Sequence, residues 1–274
     1  MSMQHAKNKG KKKKSVLLLT IIATTFLVAG IALLLFPYVS NFIGTQKAEA
    51  ITEAFDEKIS NVMPNITFEE AVEEKIVDDE GYPIDENGTR TSETRIVFQA
   101  DLDRLYADSI AYNKSLINNQ GTVDTSDYTT SALDMSSYGI YDNIYCYITA
   151  PSINMRLPVY LGANDYNMSY GAAHLCNTSL PIGNGDANVA IAAHTGYIGR
   201  IFFDNIRQLD VGDEVTIKNY FETINYTVTT KKIVDEKDSS DLFIKSDAKL
   251  LTLITCISDG NGGFDRYIVI CETT

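Results

Sequence analysis

Cys256 closes an apolar run, LLTLITC, and a loop rich in Gly, Asp and Asn follows it (ISDGNGG). Arg266 comes next, opening a second apolar run, RYIVIC. If the two runs form one hairpin, thiol and guanidinium meet across that loop. A third group of interest is His194, at the end of the run VAIAAH and just before Gly196 and Gly199. The chain has only three histidines, and His5 lies in its basic N-terminal tail. Each residue also has a plainer reading: a buried free cysteine is usually an inert small hydrophobe, and a histidine at a strand end can be a satisfied core residue. Together the three support nucleophilic chemistry. A free thiol has a pKa near ~8.5, and a neighbouring cation raises its thiolate fraction. Attack on a peptide carbonyl makes an oxyanion that a fixed arginine donor stabilises. Histidine can protonate the leaving amine. A thioester on Cys256 results, and its fate depends on the acceptor: water gives hydrolysis, an amine gives transpeptidation.

The elements that must position these groups begin near residue 139. Short runs of Tyr, Ile, Val and Thr alternate with Gly, Asn, Asp and Pro, and predict strands over Tyr145–Ala150, Leu157–Leu161, Asn188–Ala193, Glu214–Lys218, Phe221–Thr230, Leu250–Thr255 and Arg266–Cys271. Even spacing of short strands points to a sandwich or barrel. One or two helical turns are expected over Ile201–Leu209. Upstream, Asp101–Ile117 carries apolar residues at helical spacing and predicts an amphipathic helix. Asn41–Ser60 has similar spacing, ended by Pro64. Glu69–Arg95 is the most acidic stretch and reads as a solvated spacer punctuated by turns. Asn118–Ser137 reads as a loop.

Ser15–Phe36 holds 22 residues without a charge, and about 20 apolar residues span a bilayer as a helix. The run exceeds the ~7–15 apolar residues of a cleaved signal, so it predicts an uncleaved single-pass anchor. Six lysines lie in the first fourteen residues, which places the N-terminus in the cytoplasm and the rest outside. The whole chain of 274 residues carries 23 basic and 36 acidic residues, a formal charge of −13. Beyond Lys14 the balance is 17 against 36, or −19. Such an acidic body argues against nucleic-acid binding. Four cysteines are too few for a disulfide-stapled miniprotein.

Several separated segments resemble one known family, the sortases of Gram-positive bacteria. Thr252-Leu253-Ile254-Thr255-Cys256 matches the family's Thr-Leu-x-Thr-Cys strand end in full, with an arginine in the last strand and a His-Thr-Gly upstream. YITAPSINMRLPVYLG is similar to the first two family strands, and GAAHLCNTSLPIGNGDANVAIAAHTG to the two histidine segments. IFFDNIRQLDVGDEV is similar to the segment after the second histidine. The likeness covers about residues 140–272. It implies a mainly β fold: a closed eight-stranded β-barrel with short helices, preceded by N-terminal helices and a transmembrane helix. By position it implies His194 as general acid/base, Cys256 as nucleophile, Arg266 as the substrate-binding or oxyanion-stabilising residue, and Thr255 as a substrate-binding neighbour. His174 matches a non-catalytic position. TSLPIG, the Asp-Leu-Phe approach to the seventh strand and a helix carrying Tyr112-Asn113 are most like class C, the pilin-polymerising group. Its Asp-Pro-aromatic lid motif is absent between Asn118 and Tyr145.

These readings divide the chain into a cytoplasmic basic tail (1–14), an anchor (15–36), an extracellular helical and acidic linker with a possible lid (37–138) and a catalytic barrel (139–274). The implied activity is a membrane-anchored cysteine transpeptidase acting on a Leu-Pro-x-Thr-Gly-like sorting motif of exported surface or pilin proteins. Its acceptor is a pilin lysine or a peptidoglycan cross-bridge amine. The alternatives are a housekeeping or class B-like wall-anchoring sortase, a hydrolytic cysteine protease, or a non-enzymatic surface subunit. No cofactor is required. Cys146, Cys176 and Cys271 receive no role, although Cys146 and Cys271 fall in the first and last strand runs and could pair.

Overall fold

In the computed structural model, residues 3–117, 119, 128–197 and 199–273 are described, with side chains from residue 17 onward. The expected loop at Asn118–Ser137 therefore lies partly outside the described residues. Residues 1–44, with the short segment 198–200, form one unit, and residues 45–197 with 201–274 form the other.

Helix α1 (Met3–Ser60) runs through the apolar segment and carries Pro37 inside it. Its stretch from Leu17 onward is long and apolar enough to cross a membrane, and none of its most apolar 18-residue window is buried by protein. Thr24 and Thr25 hydroxyls donate back to the carbonyls of Thr20 and Ile21, so these two hydroxyls are satisfied within the helix.

The second unit is built on a closed barrel of eight strands in the order β1-β2-β3-β4-β7-β8-β6-β5. These are β1 (Ile144–Ala150), β2 (Met155–Leu161), β3 (Ala172–His174), β4 (Ala187–Ala192), β5 (Glu214–Asn219), β6 (Thr223–Val234), β7 (Lys249–Ser258) and β8 (Phe264–Thr273). Pairing is antiparallel except for β2·β3 and β4·β7. Closure removes every sheet edge, and β4 and β7 show near-continuous burial. Seven of these strands were expected, within a few residues. The eighth, β3, is three residues long, too short for its Ala-Ala-His sequence to show any period. β6 continues to Val234, past the expected end at Thr230, because β8 pairs with it from Tyr226 to Val234. Lys232, in the added stretch, is paired: its Nζ lies 2.6 Å from an Asp241 carboxylate oxygen.

The helices outside the barrel share its core. Phe55, near the end of α1, is 1% exposed and sits between Tyr147 (rings 5.7 Å apart) and Tyr220 (4.6 Å). Next to it, Asp56 receives Lys218 Nζ at 2.6 Å, Arg156 Nη2 at 2.9 Å and the Tyr147 hydroxyl at 3.1 Å. Partial burial works against its charge, but these three donors hold the carboxyl below its ordinary range. The expected amphipathic helix is α3 (Gln99–Ile117), whose Leu102 and Leu105 join the barrel core. Its buried polar side chains are satisfied. Ser109 Oγ lies 2.8 Å from Tyr145 Oη, and the Asn113 amide clamps Leu180, accepting from its N–H at 2.8 Å and donating to its carbonyl at 3.1 Å.

The acidic stretch is not a solvated spacer. Helix α2 (Phe68–Glu73) opens with a capping box in which Thr67 and Glu70 bond reciprocally. Ala71, Val77 and Phe98 form a small core of their own. Arg90 pairs with Asp78 at 2.6 Å and Glu80 at 2.7 Å, and its guanidinium lies 3.9 Å from the Tyr82 ring centroid. A few apolar residues at irregular spacing are buried here by tertiary contact, which a charge count does not register.

Candidate active site

β7 and β8 are the predicted hairpin, and their register sets Cys256 opposite Arg266. The turn between them is held by Asp259, whose carboxylate accepts from the N–H groups of Asn261 at 2.7 Å and Gly263 at 2.9 Å. Gly260 and Gly262 take the positive φ values that the reversal needs, +77° and +92°. Arg266 Nη1 donates to Cys256 Sγ at 3.1 Å. The same guanidinium faces Glu236, in the β6–β7 connection, with Nη2 4.0 Å from Oε2. Cys256 is half-buried, unlike the other three cysteines.

His194 follows the end of β4, which runs parallel to β7 with Ala192 beside Ile254. The ladder goes one step further: Ala193 N–H donates to the Ile254 carbonyl at 3.2 Å, and Thr255 Oγ1 donates to the Ala193 carbonyl at 2.8 Å. Carrying that register on by one more residue sets His194 level with Cys256. The histidine's backbone carbonyl accepts from Phe203 N–H at 3.0 Å, and its ring stacks on Tyr197 with centroids 5.6 Å apart and planes 14° from parallel. Asp204 ties down the loop beyond, accepting from Gly196 N–H at 2.7 Å and Phe202 N–H at 3.1 Å.

His194, Cys256 and Arg266 line one open cavity of about 500 Å³. Its floor is apolar, from Met168, Leu175, Leu242 and Ile254, and Glu236 stands at its polar rim. Thr255 also lines it but is 2% exposed, and its hydroxyl is committed to Ala193. Its contribution is to join the strand ends that carry His194 and Cys256. Nothing in the cavity resembles a metal site: among the described residues, no group of His, Cys, Asp and Glu could hold an ion.

The remaining candidates are built differently. His174 is wholly buried, its Nε2 3.0 Å from the Ser179 carbonyl and 3.2 Å from Thr178 Oγ1, and burial lowers its pKa to about 4. Cys146 and Cys271 are buried and unpaired. Burial pushes both thiols upward, Cys271 to about 12, so they stay protonated. Cys176 lies near the Tyr112 hydroxyl, at 4.0 Å.

Tyr128, from the segment read as loop, is a wall of the cavity that the sequence did not mark. Its carbonyl accepts from Ala163 N–H at 2.8 Å. Gly162, at φ +86°, lets this segment approach, because a Cβ there would stand 2.7 Å from the Thr130 carbonyl. The phenol oxygen is buried without a hydrogen-bond partner, and desolvation raises its pKa to about 12. Only an isolated aromatic among Ser, Thr and Asp could have signalled it.

The family model for the sortase domain matches residues 148–274. Sortase A of Listeria monocytogenes is 30% identical over 109 residues, 40% of this chain and 47% of that protein. The chain thus spans about half the length of that curated relative. The solved pilus-related sortase C of Group B Streptococcus is 30% identical, with a TM-score of 0.56 over 64% of this chain and 90% of that one. Sortase C-1 of Streptococcus pneumoniae is 27% identical, also at TM-score 0.56, over 64% and 91%. The chain belongs to the sortase family, and its likeness runs to class C.

Proposed function

We propose that the chain is a membrane-anchored cysteine transpeptidase with Cys256 as nucleophile, His194 as general acid/base and Arg266 as oxyanion donor. The observation that carries this is the 3.1 Å contact of Arg266 Nη1 with Cys256 Sγ inside the cavity that His194 lines. A donor already at the sulfur needs only a small shift to reach an oxygen on the carbon that the sulfur attacks.

Cys256 passes its proton to His194 as its sulfur bonds to the scissile carbonyl carbon, and the carbonyl π pair moves onto oxygen. Arg266 N–H groups bond to that oxyanion. When the oxyanion collapses, the C–N bond breaks, and His194 returns the proton to the departing amine. The acyl group remains on Cys256 as a thioester. An acceptor amine then adds to the thioester carbon and loses a proton to His194, and the C–S bond breaks. A new amide leaves, and Cys256 recovers its proton. The apolar floor suits the aliphatic side chains of a Leu-Pro-x-Thr-Gly-like sorting motif. Thr255 is a positioning residue, fixing the strand end under Cys256.

The donor would be an exported protein carrying that motif. The similar Group B Streptococcus sortase is pilus-related, which supports a pilin lysine as acceptor here, and a cell-wall peptide amine is the other candidate. Helix α1 would hold the chain in the cell membrane as a single-pass anchor, N-terminal lysines inside and barrel outside. On this reading the chain divides into tail 1–14, anchor 15–36, helical and acidic segment 37–138, and catalytic barrel 139–274.

The test is mass spectrometry of the full chain in detergent with a sorting-motif peptide and a small primary amine. The expected result is a thioester on Cys256 and an amide product. A free carboxylic acid as sole product, with amine in excess, would leave a hydrolase. Absence of any adduct across a panel of motifs would overturn the proposal.

A further inference from the structure

A second cavity, of about 550 Å³, is lined by Tyr82, Tyr141, Tyr160, Tyr166 and Tyr170 together with Arg95. No step of the proposed reaction uses it. Tyr166 is 70% exposed, Tyr141 42% and Tyr170 39%. The rings of Tyr166 and Tyr170 lie 4.9 Å apart. The Arg95 guanidinium lies 5.0 Å from the Tyr82 ring centroid and 5.2 Å from that of Tyr141, and its Nε is buried with no hydrogen-bond partner. Exposed aromatic faces beside an unsatisfied donor suit a ligand with flat apolar surface and carbonyl oxygens.

The place of this cavity is informative. Helix α4 (Asp165–Tyr170) separates it from the Cys256 cavity. Met168 lines the Cys256 side, while Tyr166 and Tyr170, two residues before and after it, line the other. Asn167 fixes the helix by donating to the carbonyls of Leu161 at 2.9 Å and Gly162 at 2.8 Å. A helix with its side chains is about 10–12 Å across, and an extended chain covers about 3.3–3.6 Å per residue. Three or four residues of a peptide leaving the first cavity are enough to cross α4.

We propose that the tyrosine-lined cavity is an exosite for the donor polypeptide, holding an extended segment that lies a few residues from the bond cut at Cys256. This rests on the reading of the Cys256 cavity as the peptide site. Apolar or prolyl side chains of the segment lie against the tyrosine rings, as extended peptides do in aromatic grooves, and a peptide carbonyl accepts from the Arg95 guanidinium. Selection thus extends beyond the sorting motif to its flank.

The test compares a minimal sorting-motif peptide with versions lengthened by eight native-like residues at either end. Binding is read by fluorescence anisotropy on the full chain in detergent carrying Cys256→Ala, and turnover on the chain with Cys256 intact. One lengthened peptide should bind about five- to tenfold tighter than the minimal one, the size of losing or gaining one good aromatic contact. Tyr166→Ala, an exposed change that leaves the core alone, should remove that advantage and leave kcat/KM for the minimal peptide unchanged. Arg95→Gln should reduce it in the same way. Equal binding of all lengths would overturn the exosite. So would a Tyr166→Ala effect confined to the KM of the amine, or competition by a soluble glycan that leaves peptide length without influence. Failure of every peptide to acylate Cys256 would instead count against the reaction, since length-dependent binding needs no thioester.

Discussion

His174 ends β3 and His194 follows the end of the neighbouring β4, and their surroundings are opposed. In the β3–β4 register His174 pairs with Ile191, only three residues before His194. His174 is enclosed, and burial holds its ring neutral against the opposing pull of its hydrogen bonds to Ser179 and Thr178. His194 has left the ladder and opens on a cavity beside a stacked tyrosine. The cysteines repeat the contrast: Cys271 and Cys256 both lie in the β7–β8 ladder, but Cys271 pairs with Leu251 in the interior and Cys256 with Arg266 at the rim. Residue type is therefore a poor guide to reactivity here. What differs is what surrounds each side chain: His174 and Cys271 are enclosed by the barrel, whereas His194 and Cys256 line the open cavity.

The largest effect that would sharpen this contrast is loss of the rim thiol. Cys256→Ala should lower turnover by at least about 10³, as removal of a nucleophile does. Cys271→Ala should keep turnover per folded molecule and cost about 1 kcal/mol of stability in a denaturant titration. Similar kinetic losses in both variants would break the contrast between rim and interior. Next in size, Arg266→Ala should reduce kcat/KM by about 10²–10³, the loss expected for one oxyanion donor. Turnover within about threefold of the parent chain would remove Arg266 from the chemistry.

A third prediction concerns the enclosed histidine and is read in stability. The folded pKa of His174 is lowered to about 4 from an ordinary value near ~6.5, so between those pH values the unfolded chain binds a proton that the folded chain does not. Its contribution is therefore complete above pH ~6.5 and is lost as the pH falls toward ~4, by on the order of 2–4 kcal/mol. The melting temperature should drop across this window, and His174→Gln should flatten the drop. An unchanged melting temperature from pH 6.5 to 4 in the parent chain would show that His174 is not enclosed as described.

Much of the barrel was legible because strand pairing between successive runs is a short-range matter. The β7–β8 hairpin brings Cys256 and Arg266 together through one loop, and the alternation of β-branched runs with turn residues marked seven strands. β3 was not legible, because three residues carry no period and its existence depends on β2 and β4 being in place. The acidic stretch misled for a related reason: its core of Ala71, Val77 and Phe98 forms from residues up to 27 positions apart, while its charges are evident locally. Tyr128 was hidden in the same way, since Ala163 and Gly162 hold it at the cavity wall from the far side of two strands.

The order of chemistry-bearing residues, the membrane-length apolar run and the β character of the C-terminal half were determined by the sequence alone, because each depends on neighbours within a few positions. Which histidine opens on the thiol, which cysteines are sealed, and that five tyrosines from four segments share a cavity beside α4 were decided only by the tertiary fold. Closure brings together side chains distant along the chain, and burial then sets which of them remain accessible.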